Sequence, residues 1–333
     1  MQLPKIPFVV LDTETTGFVP KINRVIEYAH MVFRDGEQVD EYDELISVPV
    51  DIPDVVQIIT RIRPDDLKGK PTFDALKGDI EKGIGEDTLI VGQNIMFDIR
   101  MLRGEGMDLS DRPWIDTSML ASLVFPELAS YSLGYVSKVL ELNHEPVHRA
   151  LGDVRATMEL LGKCWERLLE LPQEMVMELK ATMHKSSPGY RALFDALPTG
   201  DAKTKPKWIQ MPEAKKFPGM TRTIPLHKPT VGIVDIIEES LDPMMLQSVV
   251  DAAVKDTSTV HWIAVKNLTT MAKRLQLSKD VRVLQPPFLM LDQEAASTLR
   301  AQESYSADEA TLVTKLDWYA PTVFADAPIH GDE

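Results

Sequence analysis

Residues 8–17 read FVVLDTETTG: four apolar residues, then an acid, a threonine, a second acid, two more threonines and a glycine. A continuous apolar run closed in this way has the pattern of a strand buried on both faces, which needs helices above and below it. Alternation along a strand sends residues two apart to the same face. Asp12 and Glu14 therefore leave the strand end side by side, and two adjacent carboxylates repel unless a cation lies between them.

Outward from that stretch, RVIEYAHMVFRDG (24–36) and EYDELISVPV (41–50) read as two further strands joined at Asp35-Gly36, a hairpin turn pair. Pro53 and Pro64 punctuate a region of short helical turns, and 73–82 has the spacing of an amphipathic helix. TLIVGQN (88–94) is a second buried strand, with a helix directly after it over 95–105. Helical spacing returns over 117–124, 132–141 and 150–171. Three early strands followed by alternating strands and helices define an α/β fold, a mixed sheet flanked by helices.

The chain has 333 residues, 44% hydrophobic and 26% charged, a globular composition long enough for more than one folded unit. Its single cysteine, Cys164, excludes a disulfide framework and a cysteine-rich zinc module. No apolar stretch is long enough to span a bilayer, and the N-terminal apolar run ends in an acid. The expectation is a cytoplasmic protein without a membrane partner. Net charge is −15, distributed as −13 over 1–180, +6 over 181–228 and −8 over 229–333. A protein that grips long nucleic acid through a broad field would be basic overall; here any such contact must be local. The expected domains are 1–180, a basic Pro/Lys-rich linker over 181–229, and a smaller α/β domain over 230–333. In that last domain, TVGIVDII and VHWIAV read as strands, and helices fall near 243–254, 267–275 and 306–318.

Two more acids and a histidine complete the chemistry. Asp98 follows the second apolar strand, one turn into a helix among Met96, Phe97, Ile99, Met101 and Leu102. An acid in that company needs a partner. His148 and Asp153 flank the start of the helix over 150–171. Four carboxylates without cysteine suit a hard, oxygen-preferring cation such as Mg²⁺ or Mn²⁺. They can hold two such ions, roughly 3.5–4 Å apart, for in-line phosphoryl displacement. A histidine can take the proton of an attacking water near neutral pH.

VVLDTETTG, VGQNIMFDIRML and HRALGDVRAT resemble the three motifs of the DEDDh 3′–5′ exonucleases, the DnaQ-like family that includes the DNA polymerase III epsilon subunit. The resemblance covers about residues 6–170 and implies a ribonuclease-H-like fold. It implies that Asp12, Glu14, Asp98 and Asp153 hold two divalent cations and that His148 is the general base. It also places Thr13, Thr15, Gly17, Phe18 and Asn94 at the 3′-terminal nucleotide, Phe18 either as a wedge beside the bases or as ordinary packing. Gln93 departs from the family, which often has histidine there. Asp116 reads first as a helix N-cap and second as a site residue. The implied activity is stepwise release of nucleoside 5′-monophosphates from a single-stranded or frayed 3′ end, of DNA more than RNA, with a polymerase or helicase as possible partner. RNA trimming and a non-catalytic scaffold are the alternatives. After residue 258 a shorter likeness to DinG-type helicases appears, without a G-x-x-x-x-G-K-[ST] phosphate loop. It implies no helicase activity, and the role of 230–333 stays open.

Overall fold

Phe8, Val9, Val10 and Leu11 are each at most 1% exposed, and the strand they open, β1 (Phe8–Thr15), is the middle strand of a five-stranded sheet in the computed structural model. The structure describes residues 1–128, 130–199, 204–209, 243–255, 276 and 293–319. The sheet order is β3-β2-β1-β4-β5, with β2 at Val25–Arg34, β3 at Glu37–Leu45, β4 at Leu89–Gly92 and β5 at Trp114–Asp116. β1, β2 and β3 pair antiparallel, whereas β1, β4 and β5 run parallel. The Asp35-Gly36 turn joins β2 to β3 with both residues at positive φ (52° and 82°), as a tight two-residue hairpin requires.

The two faces of β1 meet different helices. Val9 and Leu11 pack with residues of α2 (Phe73–Ile84) and α3 (Ile95–Gly104), after the short α1 (Asp54–Thr60). α4 (Thr117–Val124) and α5 (Leu133–Val139) follow, and then α6 (Ala150–Leu169), which packs on β1, β2, α4 and α5. Along α6, Ala150, Val154, Thr157, Leu160, Leu161, Cys164 and Leu168 are buried, the three-to-four spacing of one helix face. Each valine and leucine among them contributes about 1.5–3 kcal/mol by leaving water. The resulting architecture is the expected mixed α/β sheet with helices on both faces. The carboxyl ends of the parallel strands, where α/β sheets place their ligands, carry Asp12, Glu14 and the start of α3.

β5 escaped the sequence reading because three residues carry no measurable period. The stretch read as linker from 181 is folded at its start: α7 (Gln173–His184) is followed by α8 (Pro188–Asp195), which buries Tyr190, Leu193 and Phe194. Contacts divide the chain into one unit of residues 1–210, 294–320 and 328–333, and a second of 211–293 and 321–327. The helices α10 (Gln293–Arg300), from Glu294 on, and α11 (Ala307–Tyr319) thus fall with the first unit, where α11 packs on α4 and α7. Docking of this kind is a long-range property that a composition boundary does not reveal. In the second unit, α9 (Pro243–Lys255) matches the helix expected near 243–254, and Gln247 exchanges two hydrogen bonds with the backbone of Gln276. The expected strands TVGIVDII and VHWIAV and the helix over 267–275 lie outside the described residues. Among the described residues, no helix is long and apolar enough to cross a membrane.

Candidate active site

Asp12 and Glu14 stand on the β1 face opposite to Leu11 and Thr13, both partly buried. Thr13 points the other way: its N–H and Oγ1 donate to Asp98 Oδ1 at 3.0 and 2.6 Å. Two bonds from one residue thereby fix the buried Asp98 on the first turn of α3 against the end of β1. Asp153, on the first turn of α6, lies beside Glu14 and the exposed His148. Glu14, His148 and Asp153 each offer a ligand atom, all within 4.8 Å of one another.

The electrostatics match this convergence. Burial first, and then the charges of Asp98, Asp153, Glu14 and Glu27, push the Asp12 carboxyl well above its ordinary value. Burial, followed by Asp153, Glu27 and Asp98, raises Glu14 to about 8, with Arg149 opposing. Burial lifts Asp98 to about 7 despite the two Thr13 bonds, and it lifts Asp153 against the opposing pull of His144 and His148. Asp12 and Glu14, each raised by burial and then by the charges of the neighbouring acids, lie in a site short of positive charge. An oxygen-rich donor set beside one imidazole fits a hard divalent cation.

Two residues outside the motifs, Glu27 and His144, help to build the entry to α6. Glu27, 1% exposed on β2, accepts from Arg149 Nε at 2.9 Å and Nη2 at 2.5 Å, and from the Ala150 N–H at 2.9 Å. This ion pair pins the first turn of α6, and with it His148 and Asp153, to the sheet. Removing Arg149 would leave the Glu27 carboxylate buried without its cation, the costly way to break such a pair. His148 itself has φ 57°, so its backbone turns sharply just before the helix. His144, nine residues before Asp153, sets Nε2 2.6 Å from Asp153 Oδ1. A histidine in a loop gives no sequence signal of such a contact.

The remaining predicted residues fall into two groups. Thr15 Oγ1 donates to Gly17 O at 2.7 Å, and a Cβ at Gly17 would come within 2.7 Å of the Asn23 side chain, which leaves no room for a larger residue. Phe18, 86% exposed, faces Phe97 with ring centroids 6.1 Å apart, so it is not core. Asn94 is exposed at φ 55° and donates its N–H to Asp116 Oδ1 at 3.2 Å. Asp116 caps α4 through Ser118 N–H at 2.8 Å, the first of its two expected roles. Gln93, the departure from the family pattern, works as a clasp: its Nε2 donates to Tyr131 O at 2.6 Å and its Oε1 accepts from Thr117 Oγ1 at 2.6 Å.

The strand and helix ends of this mixed α/β sheet thus bring acids and a histidine together. Residues 9–161 match the family model described as Exonuclease (RNase_T), and this segment is an exonuclease-family domain, as the three motifs implied. Similar curated proteins include the DNA polymerase III PolC-type of Clostridium perfringens, 32% identical over 166 residues, which are 49% of this chain and 11% of that protein. The PolC-type protein of Thermotoga maritima is 35% identical over 178 residues, 52% of this chain and 13% of its own. The 3′-5′ exonuclease DinG of Bacillus subtilis is 29% identical over 178 residues, 52% of this chain and 19% of its own. The chain thus spans less than a fifth of the length of these relatives. Among solved structures, Exonuclease X in complex with 5′ overhanging duplex DNA aligns with TM-score 0.40 and 26% identity, over 48% of this chain and 91% of that one. Escherichia coli Exonuclease I in complex with a dT13 oligonucleotide aligns with TM-score 0.45 and 18% identity, over 54% of this chain and 44% of that one.

Proposed function

We propose that the chain is a 3′–5′ exonuclease that releases nucleoside 5′-monophosphates from nucleic-acid 3′ ends, DNA in preference to RNA. The observation that supports the reading is that ligand atoms of Glu14, His148 and Asp153 lie within 4.8 Å of one another, with the charges of Asp98, Asp153 and Glu14 acting on Asp12. These four carboxylates would hold two divalent cations, Mg²⁺ or Mn²⁺. When bound, such ions neutralise charge at a scissile phosphate and lower the pKa of water. His148, exposed beside Glu14 and Asp153, accepts the proton of the attacking water on a ring nitrogen. Thr13 keeps Asp98 aimed at the same point throughout. Thr15, Gly17, Phe18 and Asn94 meet the terminal nucleotide, and the exposed Phe18 ring offers a stacking face to a base.

The direction and the preference for DNA are supported by relatives named a 3′-5′ exonuclease and DNA polymerases. The same names make a DNA polymerase the partner to test first. The acidic surface favours a single-stranded or frayed end, where stacking and local contacts replace a broad positive field. Matched 3′-labelled DNA and RNA oligonucleotides, digested in parallel with Mg²⁺ or Mn²⁺, test the substrate. DNA is expected to shorten faster with either ion. Faster loss of RNA would make the chain an exoribonuclease instead.

A further inference from the structure

The loop between α5 and α6 carries two histidines, and the motif pattern accounts for His148 alone. His144 is the buried one, 8% exposed, with Nε2 2.6 Å from Asp153 Oδ1. That is a short bond for a nitrogen donor. A carboxylate that holds a cation is ionised and can only accept, so Nε2 carries the hydrogen and donates it. The loop that holds this histidine is tied down on both sides. Asn143 N–H donates to Glu159 Oε2 at 2.9 Å and Leu142 N–H donates to Ser137 O at 2.8 Å. A Cβ on Gly152 would meet the Pro146 carbonyl oxygen at 2.1 Å, so the loop rests directly on the turn of α6 that carries Asp153. The Glu27–Arg149 pair closes the far end. His144 is therefore held by packing in the geometry in which it meets the carboxylate.

We propose that His144 is a positioning residue: by donating to Asp153 Oδ1, it fixes the carboxylate toward Glu14 and His148 and so sets the affinity of the site for divalent cations. The proposal rests on the reading of Asp153 as a cation-holding carboxylate. An unbonded aspartate rotates about its terminal torsion, and a cation must then stop that rotation as it binds. Outer partners of this kind are worth about 10–100-fold in metal affinity.

The test is calorimetric titration of Mn²⁺ into the full chain without nucleic acid, for the wild type and for His144→Ala, His144→Leu, His144→Gln and Asp12→Ala. The alanine and leucine variants remove the donor and are expected to weaken Mn²⁺ binding about 10–100-fold. Glutamine carries an N–H donor on a chain of similar reach and is expected to bind within about threefold of wild type. Hydrolysis by His144→Ala should fall at limiting Mn²⁺ and return at saturating Mn²⁺, with an unchanged pH profile. Leucine fills the buried space and serves where alanine does not fold. Equal Mn²⁺ affinity for the leucine and glutamine variants would overturn the proposal, as would a rate loss that saturating Mn²⁺ does not relieve. Asp12→Ala separates the two levels of the argument. If Mn²⁺ binding survives Asp12→Ala, the carboxylate site itself is wrong. If binding is lost there but kept in the donorless His144 variants, only the positioning role falls.

Discussion

Asp12→Ala is expected to drop the hydrolysis rate to below about a thousandth of wild type, the scale on which charge stabilisation in a preorganised site acts. Asp12 sits centrally in the cluster: the charges of Asp98, Asp153 and Glu14 all act on it. Its removal takes away a cation ligand and one source of repulsion together, so metal-free stability should hold or rise. The pH dependence follows from the same groups. Folded, Glu14 keeps its proton to about 8, against an ordinary value of 4.5. Folding therefore takes up protons between these values, and this stabilisation is complete below 4.5 and lost as pH rises through about 8. The melting temperature of the metal-free wild type should fall across that window, less steeply in Asp12→Ala, and Mg²⁺ should offset the fall by binding the ionised carboxylates. Calorimetric scans at pH 5.5 and 8.5, with and without Mg²⁺, measure this. A flat profile in the metal-free wild type would mean that the acids do not share a site.

His148→Ala is expected to cost about 10²–10⁴-fold in rate, the usual worth of a general base. The side chain is exposed and its backbone at φ 57° is shaped by the turn before α6, so little packing is lost. His148 also lies within 4.8 Å of the Glu14 and Asp153 oxygens, close enough to serve as a cation ligand instead. The two roles separate cleanly. A base is lost from the rate and from the neutral limb of the pH profile while Mn²⁺ affinity stays. A ligand is lost from Mn²⁺ affinity as well. Single-turnover rates across pH, together with Mn²⁺ titration of the variant, decide between them, and the account predicts the first result.

Most of the site was legible because it depends on short-range rules. Alternation put Asp12 and Glu14 on one face of β1, whereas Thr13, expected at the terminal nucleotide, gives its hydroxyl to Asp98. Asp98 looked misplaced among apolar neighbours, and its partner turned out to be the neighbour of Asp12 in sequence. Asp116 read correctly as a cap because a cap is a local bond, here to Ser118. The illegible parts are those whose meaning comes from a distant partner. Glu27 looked like one more polar residue in a strand, yet it is buried against Arg149 more than a hundred residues away. His144 had no motif around it. Tyr190 fell in a stretch that composition marked as linker, but its hydroxyl reaches the Asp116 carbonyl at 3.3 Å, and Gly189 lies so close to Trp114 O that a Cβ would come within 2.0 Å. That close approach is what brings α8 against β5, and no local pattern announces it.

The central claim is that one carboxylate cluster cuts phosphodiesters from the 3′ end with divalent cations. Its most direct test is digestion of a single-stranded oligonucleotide, labelled at either the 3′ or the 5′ end, by the full chain with Mg²⁺, with each product identified by mass. The account predicts immediate release of the 3′ label as a nucleoside 5′-monophosphate, a ladder shrinking toward the 5′ label, and no release in the presence of a chelator. Release of the 5′ label first, internal cuts, a 3′-monophosphate product or cleavage undiminished by the chelator would contradict it.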